Sequence, residues 1–149
     1  MGQFQSPYHL AVDNSNIIVV ADFGNHRIQV FDERGIFVRM IGSSGGEHGP
    51  LRNPYEVAID AANNSVVSDG GNKRIQVFDQ EGVFLRSFQS EGDAEGIFKL
   101  PYGMAVDMSG NIVVSDPIAN RLQVFGTRTP HVQKSQNTVI VPSICVLLQ

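Results

Sequence analysis

The sequence predicts an all-β fold, a segment of about three four-stranded antiparallel blades of a β-propeller. Three observations predict it. DFGNHRIQVF at Asp22–Phe31 returns as DGGNKRIQVF at Asp69–Phe78 and as DPIANRLQVF at Asp116–Phe125, each time 47 residues later without a gap. The flanking text keeps that register, with PYHLAVD, PYEVAID and PYGMAVD starting at Pro7, Pro54 and Pro101. Each unit also divides into short β-branched runs separated by Gly, Asn and Asp turns, with none of the 3.6-residue patterning of helical repeats.

The first strand of each unit is expected at Tyr8–Val12, Tyr55–Ile59 and Tyr102–Val106. Each follows a proline, which is tolerated at a strand's start. The small Ala11, Ala58 and Ala105 suit strands crowded around an axis. Asx and Gly turns at Asp13–Asn16 and Asp107–Asn111 lead to a second strand at Asn16–Ala21, Ser65–Ser68 and Asn111–Ser115. Its IIVV run is almost continuously apolar, so both faces should be covered. The third strand, Arg27–Phe31 and its copies, alternates Ile28 and Val30 with Gln29 and Phe31, and ends in a tight turn at Asp32–Gly35. The fourth, at Phe37–Ile41 and Phe84–Phe88, carries Arg39 and Arg86, charges that suit an outer edge. Glycine-rich links then return to the next proline. A lone blade exposes both faces, and stacking against neighbours supplies its burial.

After Phe125 the repeat stops. Gly126 stands where an Asp is expected, and no counterpart of FLRSF follows. The polar stretch to Asn137 reads as a loop, and TVIV or ICVLL near the end is a candidate substitute outer strand. The units are therefore 1–53 and 54–100 (blades with linkers), 101–125 (a partial third blade) and 126–149 (a divergent tail).

With 149 residues, 42% hydrophobic and 17% charged, the chain has the composition of a soluble globular protein. Its net charge of −4 is uneven. Residues 1–125 hold nine Lys/Arg against all fifteen Asp/Glu, whereas the tail has Arg128 and Lys134 and no acid. That balance weighs against a general polyanion binder, and no DNA partner is expected. The single cysteine, Cys145, permits no disulfide within the chain and suits a reducing, cytoplasmic compartment. The apolar tail is broken by Pro142 and Ser143 and is too short to span a bilayer, so no membrane partner is expected. MGQFQS at the N-terminus satisfies the loose myristoylation pattern. It reads better as a repeat lead-in, because Gly2-Gln3-Phe4 lies two periods before Gly96-Ile97-Phe98.

These letters resemble the NHL repeat, named for an Asn-His-Leu core that Asn25-His26-Arg27 approximates. The likeness covers residues 2–125: AVD, a VVAD-like strand end, NHRIQVF, a Gly turn, FLRSF and GxF before Pro. It is similar to the metazoan TRIM-NHL proteins, including the RING-finger NHL proteins. The resemblance implies a propeller usually of six blades, of which this chain is half, placed behind RING, B-box and coiled-coil segments. It also implies RNA or protein partners, with ubiquitin-ligase activity belonging to the RING. No Cys/His zinc spacing occurs here, so no ligase activity and no cofactor are expected of this chain itself. About three blades cannot close a ring. The expectation is a piece of a longer protein, since incomplete uncapped arrays are unstable alone. Self-association of two half-rings is the alternative.

The linker before the first strand and the loop joining the second and third strands share one end of a blade. That end gathers Tyr8, Tyr55 and Tyr102 with Arg27, Arg74 and Arg121. Rings beside guanidinium groups suit single-stranded RNA, stacking being worth roughly 1–3 kcal/mol per base. The same residues recur in every copy, however, with Asp22, Asp69 and Asp116 five positions before each arginine. An Asp–Arg pair closing each blade explains them better than ligand binding does, and five donors let an arginine serve both purposes. Positions that vary between copies are the specificity candidates: His26, Lys73 and Asn120; Phe23, Gly70 and Pro117; His9, Glu56 and Gly103. Neutral surface variation explains any one of them as well. His9 and Glu56 evoke a two-ligand metal site, but Gly103 breaks the series. The reading is a non-catalytic module binding a protein partner, as the substrate-recruiting part of a TRIM/RING-type ligase. Single-stranded RNA binding is the alternative, and a metal-dependent propeller lyase or hydrolase a distant one. The residues placed at the binding face are Tyr8, Phe23, His26, Arg27, Tyr55, Lys73, Arg74, Tyr102, Asn120 and Arg121.

Overall fold

A computed structural model describes residues 3–42, 50–88, 98–126, 138–141 and 145–148. Gly2 of the lead-in, most of the glycine-rich links and the polar stretch 127–137 lie outside the described residues. The chain forms three antiparallel sheets, a propeller segment. The first holds β1 (Pro7–Val12), β2 (Ile18–Asp22), β3 (Arg27–Phe31) and β4 (Phe37–Ile41), side by side in chain order. The second repeats this with β5 (Pro54–Ile59), β6 (Ser65–Asp69), β7 (Arg74–Phe78) and β8 (Phe84–Phe88). The third joins β9 (Met104–Val106), β10 (Ile112–Asp116) and β11 (Arg121–Phe125) to β13 (Cys145–Leu148) and β12 (Thr138–Val141). β13 pairs antiparallel with β11, in the place that β4 and β8 hold in their sheets, and β12 lies beyond it.

β1, β5 and β10 start one residue from the expected position, and β2 and β9 start two residues late. β2 begins at Ile18 rather than Asn16, because Asp13 Oδ1 accepts from the N–H groups of Ser15 and Ile17 and holds a tight turn in which Asn16 takes φ 60°. β9 begins only at Met104. Tyr102 and Gly103 are drawn to Ser115 instead, whose hydroxyl accepts from Gly103 N at 2.9 Å and whose carbonyl accepts from Tyr102 N.

The core lies between blades. Val19, Ala21, Ile28, Val30 and Ile41 of the first sheet pack with Val57, Val67 and Phe78 of the second, under Leu51 of the linker. Val66, Ile75 and Val77 of the second sheet meet Met104, Val114 and Phe125 of the third, under Phe98. Fully burying one such side chain is worth about 1.5–3 kcal/mol. Each blade is thus held mainly by its neighbour, which is why the β2-type strands are apolar on both faces.

Candidate functional site: the loop face

A 3₁₀ turn links β2 to β3 at Phe23–Asn25 and β6 to β7 at Gly70–Asn72. Each turn hands over to the next strand through a left-handed residue, His26 at φ 56° or Lys73 at φ 54°. The carboxylate just before the turn organises everything around it. Asp22 is fully buried. It accepts from Gln5 N at 2.8 Å and from Asn25 Nδ2, Arg27 Nε and Gln29 Nε2, each at 2.9 Å. Burial pushes this carboxyl up, but the hydrogen bonds from Gln5, Asn25, Arg27 and Gln29 together prevail and hold its pKa below the ordinary value of 3.8. Asp69 repeats the arrangement with Arg52 N, Asn72 Nδ2, Arg74 Nε and Gln76 Nε2. In the third blade Asp116 accepts from the backbone of Lys99, Leu100 and Ala119 and pairs with Arg121 Nη2 at 3.9 Å.

The Asp–Arg pair expected to close each blade is therefore present in all three. Arg27 and Arg74 spend Nε on the carboxylate and donate Nη2 to the carbonyls of Gln3 and Pro50, staples that hold the preceding linker down. Sequence reasoning missed the glutamine two positions on. Gln29, Gln76 and Gln123 are buried. β3 and its copies are covered on both faces, so an amide there survives only by donating to the Asp, or, for Gln123 in the orientation that satisfies its oxygen, by accepting from Arg121 at 2.9 Å. The available signal was an invariant Gln inside an otherwise apolar strand.

On the outside of this framework the rings converge. Tyr8, Tyr55 and Phe23 have centroids 5.0–5.5 Å apart, and Tyr102 lies 5.1 Å from Tyr55 and 6.5 Å from Tyr8. Tyr8 and Tyr102 are exposed. Gly70 makes room for this cluster, since a Cβ there would fall 2.3 Å from Tyr55 Cδ2. Pro117, the third counterpart, is exposed. His26, Lys73 and Asn120 are exposed at the loop tips. His26 is not idle, because its Nδ1 accepts from Asn53 N of the next linker at 3.0 Å, which requires the proton on Nε2 in the neutral ring. Two further exposed cations, Arg52 and Lys99, border the face at equivalent linker positions. The sequence comparison passed over them because Gln5 fills the same position in the first copy.

Nearer the axis, His9 and Glu56 do meet, with Nε2 and Oε1 3.7 Å apart. Both span blade junctions: His9 Nδ1 lies 3.2 Å from Val57 O, and Glu56 Oε2 accepts from Met104 N at 2.7 Å. Burial raises the Glu56 pKa above 4.5, opposed by the Met104 N–H and by His9. A Cβ on Gly103 would press Ser115 Oγ at 2.8 Å and stand 3.5 Å from Glu56 Oε2, so glycine there lets the inner strands close up. Among the described residues, no three His, Cys, Asp or Glu side chains are grouped to hold a metal ion.

The family model for the NHL repeat matches residues 4–31, and the same text recurs at the two later registers. Residues 4–31 thus match one NHL repeat, and the chain is similar to NHL-repeat proteins. A stretch of 44 residues is 50% identical to Protein brain tumor of Drosophila melanogaster, covering 30% of this chain and 4% of that protein. A stretch of 36 residues is 58% identical to the B-box type zinc finger protein ncl-1 of Caenorhabditis elegans, covering 24% of this chain and again 4% of the relative. The chain thus resembles the TRIM-NHL proteins over a small part of their length. Among solved structures, it is similar to virginiamycin B lyase from Staphylococcus aureus, with a TM-score of 0.62 and 14% identity over 81% of this chain and 38% of the lyase. It is also similar to hydrazine synthase of Kuenenia stuttgartiensis, with a TM-score of 0.65 and 16% identity over 85% of this chain and 34% of that one. At such identities the likeness establishes the propeller fold alone.

Proposed function

We propose that this chain is a non-catalytic recognition module that binds a protein partner through its loop face, as the recruiting part of a longer TRIM-type protein. NHL-repeat proteins of the TRIM-NHL kind bind protein or RNA partners in general. The observation that carries the reading is the cluster of Tyr8, Phe23, Tyr55 and Tyr102, rigid rings anchored to each other and partly open to solvent. Aromatic side chains on a stiff scaffold provide contact area at low entropic cost, the usual make-up of a binding hot spot. The blade-closing arginines already have internal acceptors, which shifts the burden of recognition to the rings and to the loop tips His26, Lys73 and Asn120.

Single-stranded RNA is the second reading, favoured by exposed tyrosines beside Lys73, Arg52 and Lys99. One experiment separates the two. Cross-linked complexes are recovered from cells expressing the parent protein, with and without nuclease, for wild type and for a Tyr8→Ala/Lys73→Ala variant. In parallel, a single-stranded RNA pool is titrated at low and moderate salt. A nuclease-resistant protein partner lost in the variant supports the proposal. RNA binding that weakens with salt and is lost in the variant, with no such protein partner, replaces it. Complexes unchanged by the variant overturn the assignment of this face.

A further inference from the structure

We propose that the junction between the first and second blades holds an anchor pocket for one threonine side chain of a protein partner. A cavity of about 80 Å³ opens there, at the end of the blades away from the tyrosine cluster. Its walls are aliphatic: Ile17, Val19, Val30 and Ile41 of the first blade with Ile59 of the second. Asp13, Arg39, Asn63 and Gln80 add polar lining. Two bridges beside it fix the spacing of the blades. Arg39 donates from Nη1 to the carbonyl of Gln80, and Asn14 Nδ2 donates to Asn63 Oδ1 at 3.1 Å.

The repeat shows why the space exists. In the second junction Ile112 and Phe88 pack into the core at the corresponding positions. Ile112 is 2% exposed, and Phe88 stacks on Phe125 at 5.2 Å with the Arg86 guanidinium 5.2 Å from its ring centre. One period earlier the same two positions hold Ser65 and Ile41. Both are shorter side chains, and they line the same cavity from opposite blades. In a close-packed interior, two facing truncations leave a void unless a ligand fills it.

Ser65 gives the cavity its chemistry. It is only 4% exposed and lines the cavity, and among the described residues its hydroxyl has no hydrogen-bond partner. A buried hydroxyl left unpaired is costly, so the site calls for an oxygen or nitrogen beside it. Aliphatic walls around one hydroxyl suit a group that carries a methyl and a hydroxyl on the same carbon. Size excludes a whole ligand, since sites for complete small molecules measure about 300–1,000 Å³. A cavity of about 80 Å³ admits a few non-hydrogen atoms. Threonine fits both demands, with its main chain left outside, where Asp13 and Arg39 provide an acceptor and a donor. A side chain seated in such a pocket fixes a partner's register. The site is separate from the loop face and does not depend on what that face binds.

Methyl NMR on the full 149-residue chain tests this, with N-acetyl-threonine N-methylamide as the probe. Saturable shifts are expected at the methyl groups of Val19, Val30, Ile41 and Ile59, and none at Ile75 or Val114 of the second junction. The matching valine probe should bind about threefold to tenfold more weakly for want of the hydrogen bond. Ser65→Ala should erase that difference. Ser65→Ile installs the residue of the second junction and should abolish the shifts while keeping the wild-type circular dichroism. Ile41→Phe fills the cavity from the other blade and reads the same outcome if Ser65→Ile unfolds. No saturable shift (a cavity that takes water only), shifts that survive a folded filling variant, or equal affinity for the threonine and valine probes would each overturn the proposal.

Discussion

Asp22 accepts four hydrogen bonds in a site closed to water, so its removal strands several partners at once. Taking one member from a buried ion pair costs about 3–5 kcal/mol, because the remaining charge stays desolvated. Asp22→Ala should therefore lower the denaturant-derived unfolding free energy by roughly that amount at neutral pH. The pKa supplies a second readout. The folded-state value lies below the ordinary 3.8, so the carboxylate's contribution is complete above 3.8 and fades as the pH falls through the folded value. The gap between wild type and variant should shrink correspondingly in acid. A gap that stays constant down to the folded pKa would show that the carboxylate charge is not what stabilises the loop. At this scale the sequence was half legible. The Asp–Arg spacing announced the pair, whereas the glutamine partner was hidden because its burial depends on the strand's second face being covered.

The strands were the most readable elements. β3, β7 and β11 and the outer β4 and β8 fall where alternation and turn chemistry put them, because both signals are local. The 3₁₀ turns were not anticipated. Their glycines meet the linker at close range: a Cβ on Gly71 would lie 2.7 Å from the carbonyl oxygen of Arg52, the same oxygen that Gly71 N bonds at 2.8 Å. Gly24 stands in the same relation to Gln5. Gly71→Ala should cost roughly 1–3 kcal/mol, as overpacking against backbone does, and thermal denaturation will measure it. The third blade carries Ile118 there, largely exposed. Its carboxylate takes two backbone N–H groups of the linker, Lys99 and Leu100, where Asp22 and Asp69 each take one. The placement of β13 was only one option in the sequence, since TVIV and ICVLL are equally strand-like and pairing with β11 chooses between them.

For the whole molecule, stability follows from the number of junctions, as in any stacked array. The two internal junctions each bury an apolar cluster.

By itself the sequence determined the period, the strand positions, the end at which tyrosines and arginines gather, and the pairing of Asp with Arg. Each follows from interactions within one unit of 47 residues, and the three copies display them in parallel. Only the tertiary structure decided that the arginines are tied inward and that His26 and Glu56 bridge blades. Those properties depend on what lies across a blade junction, and the spacing of letters within a repeat carries no record of the neighbour's distance or angle.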